Sequence, residues 1–406
     1  MKNMVFLLIA VFLFSPSCFA GDWPMVRADA ARSGYSAESV SPALTLQWIY
    51  RSLHEPQPAW EAGDTRMRFD HAFHTVVSDG LLYFGSSVNG KIYALDVETG
   101  QKVWDFFTGG PVRFAPAVWK DRLFAVSEDG YLYCLNKGTG EELWKKSGAP
   151  KPDKLLGNDR MVSRWVPRGG PFVSGKTVCF AAGVWPTEGI YFYALDAETG
   201  AEKWVNDSAG DLVMLQPHSA WSRSGVSAQG YLAAKDGMIL SPTGRAVPAA
   251  FDMLNGTFQY FHLNRYSPGG GSFIAMAGHG FFNGGKIFDI QSGELLQNLK
   301  ANTFAVTPKG GVAGYPGRIQ ALQWADMQKT DRKGGQYSIK QLQPLWDLET
   351  EHSGVSLIVA GKHIVSGGEA SVCVITREEQ KVLRSVKVEG QPLGLAAAGN
   401  RIYVST

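Results

Sequence analysis

Apolar residues in this chain come in short runs broken by Gly, Asp-Gly and Asp-x-x-Thr-Gly turns. That pattern predicts many short strands and tight turns rather than a helical bundle. Runs such as Ile92 to Leu95 are apolar at consecutive positions and do not alternate. A strand apolar on both faces belongs to a sheet packed between two other sheets.

The runs also repeat. Ile92-Tyr-Ala-Leu-Asp-Val-Glu-Thr-Gly-Gln-Lys-Val-Trp104 is matched by Leu132-Tyr-Cys-Leu-Asn-Lys-Gly-Thr-Gly-Glu-Glu-Leu-Trp144 and by Phe192-Tyr-Ala-Leu-Asp-Ala-Glu-Thr-Gly-Ala-Glu-Lys-Trp204. Weaker copies run from Phe251 to Tyr260 and from Ile287 to Leu299, surround Trp346, and run from Cys373 to Leu383. Each unit predicts a four-stranded meander with turns at Asp79-Gly80 or Asp129-Gly130. In the last turn Asp96 or Asp196 accepts backbone N–H bonds, while Gly100, Gly140 and Gly200 hold the matching turn position, where the glycine takes a positive φ. A repeat of about 40 residues that cannot bury both faces alone points to a β-propeller.

The expected fold is therefore all-β: one propeller of four-stranded blades over 21–406, closed by the N- and C-terminal segments. Fourth-strand anchors at Trp48, Trp104, Trp144, Trp204, Tyr260, Leu299, Trp346 and near Val386 suggest eight blades, with seven as the alternative. The last blade takes Leu393 to Ala398 and Arg401 to Ser405 and closes against Trp48. Its third strand comes either from the Trp23 to Tyr35 segment or from chain beyond Thr406.

Ahead of the repeats, Lys2, the apolar run Met4 to Phe14 and Ala20 read as an export signal over 1–20, cut before Gly21. An eleven-residue run is too short to span a bilayer, which takes about 20. Ser15-Pro16-Ser17 is a poor lead-in to lipid attachment at Cys18. A periplasmic or extracellular protein is expected. The mature Cys134, Cys179 and Cys373 are odd in number and lack any CxxC, so buried thiols are expected, with a single bridge left open. Charged residues at 19%, hydrophobic ones at 45% and a net charge of +2 exclude wholesale disorder and a dedicated nucleic-acid binder.

Ala-Leu-Asp-x-Glu-Thr-Gly-x-x-x-Trp at 94–104 and 194–204 resembles the tryptophan-docking repeat of pyrroloquinoline-quinone-type propellers. Asp22-Trp-Pro-Met-Val-Arg-Ala-Asp-Ala-Ala-Arg-Ser-Gly34 resembles the opening segment of the same superfamily. The resemblance covers nearly the whole mature chain and implies the fold. It does not select among quinoprotein dehydrogenases, an outer-membrane assembly lipoprotein and non-catalytic exported propellers. Gly183 to Asp196 and Gly244 to Pro248 resemble an exported branch of that superfamily.

Three long connections, Ser52 to Ala72, Ser147 to Arg168 and Asp207 to Arg223, fall between a fourth strand and the next first strand, so they share one face. They carry Arg66, Arg68, Asp70, His71 and His74; Arg160, Arg164, Trp165 and Arg168; Gln216, His218, Trp221 and Arg223. Cations beside aromatics suit an anionic or sugar-like ligand, although the same arginines can equally hold long loops through carbonyls and acids. No metal site is expected, since His71 and His74 lack a third ligand. Ala325 to Lys340, around Lys329-Thr-Asp-Arg-Lys-Gly-Gly335, is expected to be a solvated hairpin on the opposite face.

These features favour an exported, non-catalytic binding or scaffold module with no cofactor, its partner an envelope protein or glycan bound at the loop rim. The alternative is a quinoprotein dehydrogenase using pyrroloquinoline quinone and calcium on an alcohol or sugar. There Asp70 or Asp159 is the base, and Arg164 or Arg223 polarises the quinone. A second alternative is the outer-membrane assembly propeller.

Overall fold

The structure is a computed structural model that describes residues 21–60, 65–216, 219–244, 246–263, 270–330 and 334–406. The expected export signal, 1–20, with Cys18, and the candidate His218 lie outside the described residues.

Seven four-stranded antiparallel meanders follow one another. The first comprises Val76–Ser78, Leu81–Gly85, Lys91–Asp96 and Lys102–Phe107; the second Ala117–Trp119, Arg122–Val126, Tyr131–Asn136 and Glu142–Ser147. The third comprises Pro167–Ser174, Thr177–Ala182, Tyr191–Asp196 and Glu202–Asn206; the fourth Ala233–Lys235, Met238–Ser241, Ala249–Asp252 and Phe258–Tyr260. The fifth runs through Ala275–Ala277, Gly280–Asn283, Lys286–Asp289 and Leu295–Asn298, and the sixth through Thr303–Thr307, Gly310–Tyr315, Arg318–Thr330 and Gln336–Glu349. The seventh consists of Ser356–Ala360, His363–Gly367, Ser371–Thr376 and Lys381–Lys387. A two-stranded sheet, Gly394–Ala398 with Arg401–Ser405, sits between the first strands of the seventh and first meanders and completes a ring of inner strands. The fold is thus a β-propeller with seven complete blades. Among the described residues its eighth station holds two strands, so the lower of the two expected blade counts describes the complete blades.

The repeated turn works as its residues require. Asp96 Oδ1 accepts from the Glu98 and Thr99 amides at 3.1 and 2.9 Å, and Gly100 takes φ +68°. A Cβ on Gly100 would fall 2.7 Å from the Trp48 ring, so glycine lets each outer tryptophan lie flat on the next blade's turn. Trp48, Trp104, Trp144 and Trp204 then donate Nε1–H to the carbonyls of Val97, Lys137, Glu198 and Met253 at 2.9–3.2 Å. Tyr260 does the same through its hydroxyl to Ile290, at 2.8 Å.

Two anchors differ from the sequence expectation. In the fifth blade Gln297, not Leu299, occupies the station and exchanges two hydrogen bonds with Leu342. In the seventh, Arg384 lies across from Val374 as Trp104 lies across from Ala94, so the station is Arg384 rather than Val386. Trp346, across from Ala321, packs on the core shared with the seventh blade. The long hairpin of the sixth blade matches its expected place between third and fourth strands.

The segment from Gly21 to Ser36 adds no third strand to the eighth station. It lies across one end of the channel and bonds to its inner walls all round. Trp23 bridges Val77, and the carbonyls of Pro24, Ala30, Ala31, Ser33 and Gly34 accept from Val118, Ala234, Met276, Val306 and Val359. Arg32, 2% exposed, donates to the carbonyls of Leu232, Pro171 and Val26 at 2.7–3.1 Å. Arg27 donates to Phe304, Leu357 and Arg32. Buried guanidinium groups are tolerated because each finds several acceptors. Cys134, Cys179 and Cys373 are buried free thiols. Among the described residues no helix is long and apolar enough to cross a membrane.

Candidate functional site

The other end of the channel is reached by the fourth-to-first connections, and here the candidate side chains separate into two groups. Asp70, His71, His74 and Arg168 gather at the channel mouth. The remainder are spread over the outer loops. Arg164, exposed, pairs with Glu188 at 2.9 Å, and Trp165 is buried with its Nε1 donating to the Glu188 carbonyl. Trp221 and Arg223 lie on an exposed hairpin, Val213–Leu215 with Trp221–Arg223, where Arg223 meets Asp211 at 3.1 Å. Arg68 is exposed, as is Asp159 at the turn of the Lys154–Gly157 and Arg160–Ser163 hairpin. Arg164 and Arg223 brace loops and do not face Asp70, and the exposed Asp159 leaves the set of possible bases.

The mouth is built on residues that sequence reasoning missed. Arg113 precedes the second blade's inner strand, Glu128 sits in that blade's second-to-third turn, and Trp60 comes from the first long connection. Arg113 Nη1 bonds Asp70 Oδ2 at 3.0 Å, and its Nε lies 2.8 Å from Glu128 Oε1. Arg168 Nη2 approaches the same Glu128 oxygen at 2.7 Å. All four side chains are nearly inaccessible. Asp70 Oδ2 also accepts from the Ala59 amide at 2.8 Å, and Arg113 donates to the Gln57 carbonyl. The Trp60 ring lies 5.9 Å from the Arg168 guanidinium, with its Nε1 bound to Gln229.

The cluster is incompletely satisfied. Among the described residues, Arg113 Nη2, Arg168 Nε and Nη1, Asp70 Oδ1 and both His71 nitrogens are buried without a hydrogen-bond partner. Asp70 Oδ1 is 3.9 Å from His71 Nδ1. Burial pushes the Asp70 carboxyl above the usual carboxylate range, against the pull of Arg113 and Arg168. His74, edge-on to Tyr231 at 6.0 Å, is pushed down to about 4 by burial and by the charges of Arg27 and His71. Arg113 and Glu128 could have been noticed as charges inside the apolar stretches Pro111-Val-Arg-Phe-Ala115 and Ala125-Val-Ser-Glu128. Nothing in their spacing joins them to Asp70.

Fold and site together define a closed propeller, bolted at one end by its own leading segment and lined at the other by a buried arginine–carboxylate cluster. Part of the chain is similar to pyrroloquinoline-quinone-type β-propeller proteins. The family described as outer membrane protein assembly factor BamB matches residues 51–166. The chain is 27% identical over 202 residues to a quinohemoprotein alcohol dehydrogenase of Comamonas testosteroni, covering 45% of this chain and 25% of that protein. It is 28% identical over 161 residues to a quinoprotein ethanol dehydrogenase of Pseudomonas aeruginosa, covering 36% and 25%. These matches span about a quarter of the relatives' length. Among solved structures, a europium-containing methanol dehydrogenase aligns over 95% of this chain and 89% of its own at a TM-score of 0.54 and 14% identity. The Comamonas testosteroni enzyme aligns over 95% and 76% at 0.55 and 14%. At that identity the structural likeness shows the fold alone.

These relatives overturn the expectation of a non-catalytic, cofactor-free module, because the curated proteins matched are named quinoprotein and quinohemoprotein dehydrogenases.

Proposed function

We propose that this chain is the propeller of an exported quinoprotein-type alcohol dehydrogenase that binds a planar, carboxylate-bearing quinone beside Arg113, Arg168 and Trp60. The observation that carries the reading is the set of unpartnered guanidinium N–H groups at Arg113 Nη2 and Arg168 Nε and Nη1. A buried donor left unpaired costs about 1–3 kcal/mol. A ligand carboxylate supplies the charge-assisted bonds these groups lack, and Trp60 offers an aromatic face beside them.

The residues present fit the carboxylates and ring of pyrroloquinoline quinone. They do not fit a divalent cation: among the described residues no group of three or more His, Cys, Asp or Glu is placed to hold one, and Asp70 and Glu128 are already ion-paired. No role is assigned to calcium. When bound, the quinone supplies a two-electron acceptor for alcohol oxidation. Arg113 and Arg168 hold its carboxylates. The Ala59 amide and Arg113 fix Asp70 through Oδ2, leaving Oδ1 to accept the substrate hydroxyl proton, and burial makes that oxygen a stronger base. Access requires the Gln57 to Trp60 strap to move aside, because it covers both guanidinium groups.

The test is thermal melting of the mature chain with pyrroloquinoline quinone, with and without Ca²⁺, in wild type and Arg168→Met. A saturable rise in Tm that Arg168→Met removes, with dye-linked oxidation of a primary alcohol, is the expected result. The absence of any rise at large excess of quinone, under both conditions, overturns the reading.

A further inference from the structure

The strap from Gln57 to Trp60, which covers the arginine–carboxylate cluster, is tied down by side chains. Its Gln57 carbonyl accepts from Arg113, and its Ala59 amide donates to Asp70 Oδ2 at 2.8 Å. Ser87 Oγ accepts from the Gln57 amide at 3.0 Å, and Trp60 Nε1 donates to Gln229 at 2.9 Å. Among the described residues no backbone-to-backbone bond fastens it. Pro56 and Pro58 restrict φ on either side of Gln57 and have no N–H to enter a ladder. The result is a stiff piece of chain that lifts as one. The residues ahead of it, Ser52 to Glu55, are exposed at every position, so packing does not hold it from that side.

Against the strap lies the tip of the Lys154–Gly157 and Arg160–Ser163 hairpin. Asn158 at φ +50° and Asp159 at φ +59° form its two-residue turn, the left-handed kind that suits a tight hairpin. From that turn Asn158 Nδ2 donates to the carbonyls of Pro58 and Ala59 at 3.3 and 3.2 Å. The hairpin's other end stands on the cluster itself, since the Ser163 amide donates to the Glu128 carbonyl at 2.7 Å. Between base and tip it has little hold on the core. Leu155, Leu156 and Met161 are exposed, and of its apolar residues only Val162 is buried. A two-stranded hairpin with so little buried surface is marginally stable on its own and opens at low cost.

We propose that this hairpin is the latch of a lid. While Asn158 holds Pro58 and Ala59, the strap keeps the mouth shut over Arg113 and Arg168. A ligand enters when the tip releases the strap, and the strap then returns to Asp70 over it. The lid rests on the quinone reading only for what enters, and its opening is measured without quinone.

The test is amide exchange at Ala59, together with phenylglyoxal modification of Arg168 located by mass spectrometry, in the quinone-free mature chain. Asn158→Asp keeps the left-handed turn and loses the donor, and Asn158→Gly keeps the turn with no side chain at all. Both variants should speed exchange at Ala59 and modification of Arg168 about tenfold. Arg32, equally buried at the far end of the channel, should not change. No acceleration at Ala59 and Arg168 in either variant overturns the proposal. So does an equal acceleration at Arg32, which would report a loosening of the whole ring. If the latch effects hold and quinone binds neither wild type nor variants, the lid stands and the quinone reading falls.

Discussion

Two pairs of arginines stand at opposite ends of the same channel, all buried but the half-buried Arg27. Arg27 and Arg32 hold the leading segment against the inner strands, and their nitrogens donate to backbone carbonyls of Phe304, Leu357, Leu232 and Pro171. Arg113 and Arg168 are paired with Asp70 and Glu128 yet keep three N–H positions without an acceptor. The first pair closes a structure. The second, on the proposed reading, is held for a ligand. Arg32 is buried as deeply as Arg113 and Arg168, so the difference in satisfaction, and not burial, separates the bolt from the proposed site.

The sharpest way to break this comparison is to remove one arginine at each end. Arg32→Met strands the carbonyls of Leu232, Pro171 and Val26 and should cost about 3 kcal/mol or more in urea denaturation; a neutral result would mean that the leading segment does not bolt the ring. A pH titration probes the region between the ends. His74 is neutral in the fold, with its value pushed down to about 4, while the unfolded chain takes up a proton near 6.5. Stability should therefore be unaffected above pH 6.5 and fall as pH drops from there towards 4, by about 2 kcal/mol after allowing for partial exposure. His74→Phe should flatten that part of the profile.

At the mouth, Arg168→Met removes two unpartnered donors and leaves Glu128 still paired with Arg113. It should change stability by less than about 1 kcal/mol while abolishing quinone-induced stabilisation. A loss as large as that at Arg32 would make Arg168 another bolt. The smallest effect belongs to the outer loops: Trp221, 70% exposed, can become Ala within about 0.5 kcal/mol and without change in ligand response.

The candidate residues show how far a sequence can be read. Asp70, His71, His74 and Arg168 were recognisable because they lie in long connections that a propeller sends to one face. Arg164, Trp165 and Arg223 met the same criterion and turned out to brace loops, since nothing in a sequence distinguishes an arginine that faces Glu188 from one that faces the channel. Arg113 and Glu128 lie in short turns that length alone does not mark. Arg27 and Arg32 were visible in the leading segment, but with no role attached.

By itself the sequence determined the repeating blade. Two-sided apolar strands, the Asp-x-x-Thr-Gly turn and the outer tryptophan act within some forty residues or on the adjacent blade, so local pattern suffices. The tertiary structure alone decided what happens along the axis. There the inner strands of every blade converge, a sixteen-residue segment meets walls drawn from the whole chain, and Asp70, Arg113, Glu128 and Arg168 become neighbours across a hundred residues. Ring closure creates those contacts, and no local period encodes them.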